Sequence, residues 1–307
     1  MLTISSSRHT INQRTAKGSS EASTMSHAHN NTLNPEPHTL DVVPPATIAR
    51  LVQEVGVRKA ELGWVPTLTL GLLAGAFIAF GAMFYSAVIT GRELGYGPTR
   101  LLGGIAFSLG LILVIVGGAE LFTGNSLIVM ARAEGQISTA LLLRNWAIVF
   151  VGNFIGATAT ALMVHLSGVL SLNDGAAGAT AVAISAAKLS LSPPEAFMRG
   201  VLCNVLVCLA VWMCFAARDV AGKVLVIVFP ITAFVALGFE HSIANMYLIA
   251  VGMLHEGAYD LQGYFANLAY VTAGNIVGGG VLVALVYWLV YGRASRDRSP
   301  RGSSGNI

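Results

Sequence analysis

The chain has 307 residues, 54% of them hydrophobic and only 11% charged, with a mean hydropathy of +0.69. A soluble domain carries about 25% charged residues, and many of the charges here lie before residue 62 or after residue 292. That distribution excludes an ordinary soluble domain for the centre of the chain, which reads as a polytopic all-α membrane protein. The 34 glycines suit this class, because glycine lets membrane helices approach closely.

Residues 1–45 are rich in Ser, Thr, His and Asn without apolar periodicity, the composition of a disordered tail, and they hold no signal-peptide pattern. His27, His29 and His38 lie there with nothing to organise them into a metal site. Residues 46–62 place Ile48, Leu51, Val52 and Val55 on one helical face and most charges elsewhere, so an amphipathic helix at the membrane interface is expected. Residues 63–292 are expected to form a six-span domain, and 293–307 a basic, disordered tail.

Within residues 63–292, apolar segments run over about 64–90, 101–132, 143–170, 196–217, 223–254 and 265–291, each longer than the ~20 residues that cross the hydrocarbon. Six crossings put both termini on one side. With the termini inside, Arg58, Lys59, Arg132, Arg144, Arg218, Lys223, Arg293 and Arg296 are internal, and only Arg92, Arg100, Lys188 and Arg199 are external. Both termini are therefore expected in the cytoplasm and the protein in the cell's inner (plasma) membrane. Cys203, Cys208 and Cys214 share one segment, with 203 and 208 on different helical faces, 203 and 214 about three turns apart, and no CxxC pair, so packing is their expected role and no metal is expected.

Segments two and five stand out. Each spans about 31 residues, or about 47 Å as a straight helix at 1.5 Å per residue, against a core of about 30 Å. Each also carries a polar interruption at its centre: GAELFTGNS at 118–126 and GFEHSIANM at 238–246. Gly118, Glu120 and Asn125 repeat as Gly238, Glu240 and Asn245, displaced by 120 positions, and GNFIG at 152–156 repeats as GNIVG at 274–278, displaced by 122. Segments one and four align less clearly. Three crossings reverse direction, so the halves are inverted repeats with paired broken helices, a pointer to a transport site at the midplane.

Irregular backbone at that depth must be buried in protein or line an aqueous cavity. The freed N–H groups and positive ends of two inward-pointing half-helices suit a small anion. Thr123 and Ser242 stand where they would cap those half-helices. Glu120 and Glu240, with Asn125 and Asn245, read as structural: the carboxylates accept from N–H groups freed by the breaks, since bare carboxylates would repel an anion. A proton relay is the other role open to them. His241 sits at a break next to a carboxylate, where its charge is tunable, and reads as functional; His165 reads as structural. Lys188 is either simply solvated or an attractor of anions at an outer mouth. Asn153, Asn204 and Asn275 read as bonding to neighbouring helices or to broken backbone. No P-loop, HExxH or GxSxG motif is present, so neither an ATP-driven pump nor an enzyme is indicated, and no cofactor or nucleic-acid partner is expected.

The stretches AGAFIAFGAMFY, GAELFTGN, RGVLCNVLVCLAVWM, GFEHSIAN and VTAGNIVGGG occur in order between about residues 60 and 292 and together resemble the formate/nitrite transporter family. The resemblance implies an aquaporin-like protomer with its own pore, a homopentamer, and passage of small monovalent anions such as formate, nitrite or hydrosulfide, sometimes with a proton. It also implies that His241 is the central pore histidine and Thr123 the threonine facing it. Phe107, Leu111, Leu121, Phe122 and Phe234 would form apolar constrictions, Lys188 the basic residue of the outer vestibule, and Asn204 a polar position near the pore. The competing expectations are a channel for a neutral solute such as water, glycerol or ammonia, and a membrane scaffold or sensor. The first lacks the two NPA turns of an aquaporin, and the second has no use for matched broken helices.

Overall fold

The computed structural model describes residues 42–91 and 94–292. The tails read as 1–45 and 293–307, apart from residues 42–45, lie outside the described residues, as does Arg92. All regular elements among the described residues are helical. In chain order they are α1 (Pro45–Glu61), α2 (Trp64–Ile89), α3 (Tyr96–Gly117), a 3₁₀ turn (Gly124–Ile128), α4 (Val129–Ala133) and α5 (Thr139–Leu166). A short 3₁₀ turn (Val169–Ser171) follows, then α6 (Ala176–Leu189), α7 (Pro193–Ala216), α8 (Val220–Ala236), α9 (Ser242–Glu256) and α10 (Leu261–Ile276). Beyond Ile276 the last helix continues in π-wound turns, over Val277–Leu285 and Trp288–Gly292.

Among the described residues, five stretches are long and apolar enough to cross a membrane: α2, α3, α5, α7 and the run from Leu261 to Gly292. Segment five is present as two pieces, α8 and α9, of 17 and 15 residues, each shorter than a full crossing. Helix starts follow from local side chains. Ser138 accepts from the Leu141 N–H at the head of α5, Asp219 from Gly222 at α8 and Asp260 from Gly263 at α10; each satisfies an otherwise orphaned donor.

Packing repeats between the halves. In the α2–α5 pair, a Cβ at Gly152 would meet the Leu68 carbonyl and one at Gly156 the Leu72 carbonyl. In the α7–α10 pair, Gly274 meets the Phe197 carbonyl and Gly278 the Val201 carbonyl. These backbones touch because no side chain separates them. The contacts align α2 with α7 at a displacement of 129 positions, the correspondence that was faint in the sequence.

Two elements differ from expectation. The connection between segments three and four contains α6, whose Ser185 donates to the Ile249 carbonyl of α9 at 3.1 Å and whose Gly178 lies beneath the His255 ring. Its alanine-rich sequence forms a helix readily but, at 14 residues, is too short to register as a crossing. Helix α1 buries Ile48, Ala49 and Val52 against the bundle and also carries an inward-directed charge, described below.

Candidate functional site

The site is assembled around the two breaks. Helix α3 stops at Gly118, which takes φ +77°, and α8 is followed by Gly238 at φ +73°; such left-handed conformations favour glycine. The chain then runs irregularly for a few residues, and both exposed backbones are satisfied alike. The Glu120 N–H donates to the Leu70 carbonyl and the Glu240 N–H to the Arg199 carbonyl. Asn153 donates to the carbonyls of Gly71 and Glu120, at 2.6 and 2.9 Å, and accepts from the Phe122 N–H at 2.9 Å. Asn275 donates to the carbonyls of Gly200 and Glu240, at 2.8 and 3.0 Å, and accepts from the Ser242 N–H at 3.0 Å. One asparagine per half therefore replaces the helical ladder at each break, as buried backbone requires.

The carboxylates hold something else. They were expected to accept from freed backbone N–H groups; the structure instead pairs each with a lysine and an asparagine. Glu120 lies 2.8 Å from Lys59 Nζ and accepts from Asn125 at 2.7 Å. Asn125 also donates to Asn145, which donates to the Lys59 carbonyl. Glu240 accepts from Lys188 Nζ with both oxygens, at 2.9 and 3.0 Å, and from Asn245 at 2.6 Å. Asn245 donates to Asn267, which donates to the Lys188 carbonyl. Each break is thus tied to a flanking helix, α1 in one half and α6 in the other, by the same circuit of four side chains. The backbone needs no carboxylate because Asn153 and Asn275 already serve it, so the carboxylates are free to neutralise the lysines.

Where the breaks meet, chemistry appears. His241 Nε2 lies 2.9 Å from Thr123 Oγ1, and both side chains are buried. His241, not Ser242, is the N-cap of α9: its Nδ1 accepts from the Ala244 N–H at 3.1 Å. The hydroxyl of Ser242 has no partner among the described residues, and Thr123 caps nothing through its side chain. The capping role expected of Ser242 therefore passes to His241, whose ring reaches over the first turn of α9, and the one expected of Thr123 is taken by no side chain. An Nδ1 that accepts a bond leaves the neutral imidazole's proton on Nε2, so the ring presents Nε2–H at the junction.

Phe234 stacks on His241 with ring centroids 6.0 Å apart and meets Phe107 edge-on at 5.5 Å. On one side of this cluster a cavity of about 470 Å³ is lined by Phe107, Phe234, His241, Lys188, Arg100 and Arg199 among others. On the other, a cavity of about 50 Å³ is lined by Leu111, Leu121, Lys59 and Asn125 among others. Phe107, Phe234, Leu111 and Leu121 thus lie between the two cavities. Phe122 does not: its ring packs edge-on against Trp146 and Phe150. Asn204 lines neither cavity. It donates to the Thr123 carbonyl, Ser126 Oγ and the Asn275 carbonyl, at 3.2, 3.2 and 2.7 Å, and so braces one break against the other.

Sequence reading missed Lys59, Asn145 and Asn267 as partners of the breaks, and Arg100 in the large cavity. The first three carried a signal. Asn145 and Asn267 are displaced by 122 positions, like the GNFIG and GNIVG repeats, and Lys59 and Lys188 by 129, like Gly71 and Gly200.

Comparison with known proteins bears on all of this. Residues 46–289 match the family model described as formate/nitrite transporter. The chain is 39% identical to the formate channel FocA of Escherichia coli strain K12, over 82% of this chain and 95% of that protein. It is 40% identical to a probable formate transporter of Methanothermobacter thermautotrophicus, over 80% and 96%. A solved pentameric formate channel with formate bound is 42% identical and superposes with a TM-score of 0.69, over 74% of this chain and 97% of that one. A solved FNT family ion channel, 30% identical, gives a TM-score of 0.71 over 80% and 98%.

Proposed function

The chain belongs to the formate/nitrite transporter family, and on that premise we propose that it carries small monovalent anions, formate or nitrite, across a membrane through the passage between the two cavities. The observation that carries this reading is the His241–Thr123 contact, sealed between apolar side chains and flanked by a cavity on each side.

An anion crossing Phe107, Phe234, Leu111 and Leu121 loses its water, and an unpaired charge in such surroundings is very costly. The Nε2–H of His241 and the hydroxyl of Thr123 are the donors that meet it there. Their mutual bond is exchanged for bonds to the two oxygens of a bent ion with three heavy atoms, so little new desolvation is required of the protein. Formate and nitrite offer the same acceptor pair and are poorly separated. A neutral solute would make no use of the cations that line the large cavity. Arginine and lysine asymmetry along the chain supports a cytoplasmic side of the plasma membrane for α1 and the small cavity, and the outer side for the large cavity. The protomer assembles as a pentamer, like the solved relative, with exposed apolar side chains such as Leu101, Ile105 and Leu202 facing lipid or neighbouring copies.

Proton transfer from His241 would require Nδ1 to take a proton and so to give up its bond from Ala244. We therefore assign His241 the role of hydrogen-bond donor. The test is flux of formate, nitrite and chloride into proteoliposomes, at external pH from 5 to 8, with the parent and His241→Ala. Formate and nitrite should outpace chloride, and the variant should lose about tenfold or more, the value of one strong hydrogen bond to a charged group. Whatever pH dependence the parent shows should survive in the variant at reduced flux. A pH dependence that vanishes with the imidazole would place the transferred proton on His241 and overturn the donor role. Unchanged flux in the variant would remove His241 from the pathway altogether.

A further inference from the structure

The two cavities differ in size and in charge balance. At about 470 Å³ the large one falls in the range of sites that enclose drug-sized ligands, far beyond the needs of an ion with three heavy atoms. The small one is about a tenth of that, at about 50 Å³. Three cationic side chains line the large cavity. Lys188 is neutralised by Glu240 through both carboxylate oxygens, and Arg199 faces Glu195 at 4.0 Å. Arg100 is different: its partners are all neutral. Its Nε donates to the Ala236 carbonyl at 3.0 Å and its Nη1 to the Tyr85 hydroxyl at 3.3 Å, and its guanidinium lies over the Tyr96 ring at 5.9 Å.

Among the described residues, then, Arg100 is a cation held in place by three groups and compensated by no carboxylate. A guanidinium presents five N–H donors, and two of them are committed here. With Nε and Nη1 each holding a partner, the two Nη2 donors and the second Nη1 donor are left for a ligand carboxylate. Around it the wall is aromatic and aliphatic: Tyr96, Ile89, Ile184 and Phe239. A charged fork beside an apolar wall fits an anion with an apolar body. At the cavity's inner end, Phe107 and Phe234 close the way with rings as large as that body.

We propose that the large cavity is a binding site for carboxylates with bulky apolar bodies, recognised by Arg100, which enter from that side, cannot pass the Phe107–Phe234 pair and so compete with the permeating ion. The blocking half of this inference rests on the transport reading above; the binding half does not. Such a ligand acts from one face only, because the small cavity cannot accept it.

Benzoate is the probe. Calorimetric titration of the purified full-length protein with benzoate at pH 7.5 measures the site directly. Benzyl alcohol, of similar shape without the charge, should bind at least about tenfold more weakly. Arg100→Gln should weaken benzoate by about the same factor, and Arg100→Lys by less, since it keeps the charge but not the fork. In proteoliposomes, benzoate on the large-cavity side should raise the apparent KM for formate without lowering its maximal flux, and on the opposite side should do neither. Benzoate and benzyl alcohol binding equally would overturn the proposal with no mutant required, as would tight binding that Arg100→Gln leaves intact or inhibition equal from both faces. Formate flux that benzoate does not touch, with no calorimetric binding, would sink this inference and leave the transport reading standing. Benzoate binding in a protein that moves no formate would do the reverse.

Discussion

The two breaks share a frame and differ in what the frame holds. In each, a left-handed glycine ends the helix, an asparagine from a neighbouring span replaces the lost backbone bonds, and a lysine–glutamate–asparagine circuit ties the turn to a flanking helix. The occupants differ. A displacement of 120 positions puts Leu121 against His241 and Thr123 against Ile243. Past the first break the chain makes a five-residue 3₁₀ turn and the five-residue α4; past the second it makes the 15-residue α9, capped by His241 itself. The repeat thus builds the support twice and the polar contact once, with each half contributing one partner. Duplicated parts hold the backbone open; on the transport reading proposed above, unduplicated parts face the cargo.

If that division is right, damage to the frame should cost stability in both halves, and the largest effect should come from its asparagines. Asn153 and Asn275 are fully buried and each make three bonds to backbone groups. A leucine at either position leaves the carbonyl and the N–H of the break unsatisfied, at about 1–3 kcal/mol apiece, while the Gly71 or Gly200 carbonyl keeps its place in the ladder of α2 or α7. Thermal unfolding of the detergent-solubilised protein should show both variants strongly and similarly destabilised, by several kcal/mol. A mild effect at one site alone would show that the halves do not share a frame.

The charged circuits should separate the halves in a graded way. Lys188 and Glu240 have side-chain exposures of 14% and 5%, against 29% and 8% for Lys59 and Glu120. Water compensates the more exposed lysine better. Glu240→Gln should therefore cost about 3 kcal/mol, near the lower bound for breaking a buried pair, and Glu120→Gln about 1 kcal/mol, as for a pair near the surface. The same unfolding measurement checks the order; a larger loss at Glu120 would reverse it.

Much of the frame was legible in the sequence because it recurs there. Gly118 and Gly238, Glu120 and Glu240, and Asn125 and Asn245 stand at one displacement, and a displacement is visible without structure. The breaks followed from segment length, and His241 from its place within one of them. Its partner Thr123 and the apolar side chains came from family resemblance, because nothing in residue spacing tells a side chain facing the passage from one packed behind it. Phe122 shows the cost: it adjoins Thr123 and Leu121, yet its ring turns to Trp146 and Phe150. The lysine partners stayed hidden for another reason. Lys59 sits on a helix whose apolar periodicity read as interfacial, a reading that assigns a lysine to water, and Lys188 in an outer connection where the choice lay between water and an attracted anion, not a carboxylate partner. Only the tertiary fold carries α1 and α6 over the ends of the breaks.

The smallest difference is the most local. Gly118 and Gly238 adopt nearly the same left-handed conformation, so alanine at either should cost the same backbone strain, about 1–2 kcal/mol. Around them the halves part. A Cβ at Gly118 would meet nothing within 4 Å, whereas one at Gly238 would lie 3.1 Å from Arg100 Nη2. Arg100 also donates to the Ala236 carbonyl just before that turn and has no counterpart at the first break. Gly238→Ala should therefore exceed Gly118→Ala by the amount the guanidinium resists, about a further 1 kcal/mol, one ordinary hydrogen bond. Removing the guanidinium should erase the excess: in an Arg100→Gln background the two alanine variants should unfold with equal losses. An excess that persists there would assign it to the turn at Gly238 rather than to the arginine leaning on it.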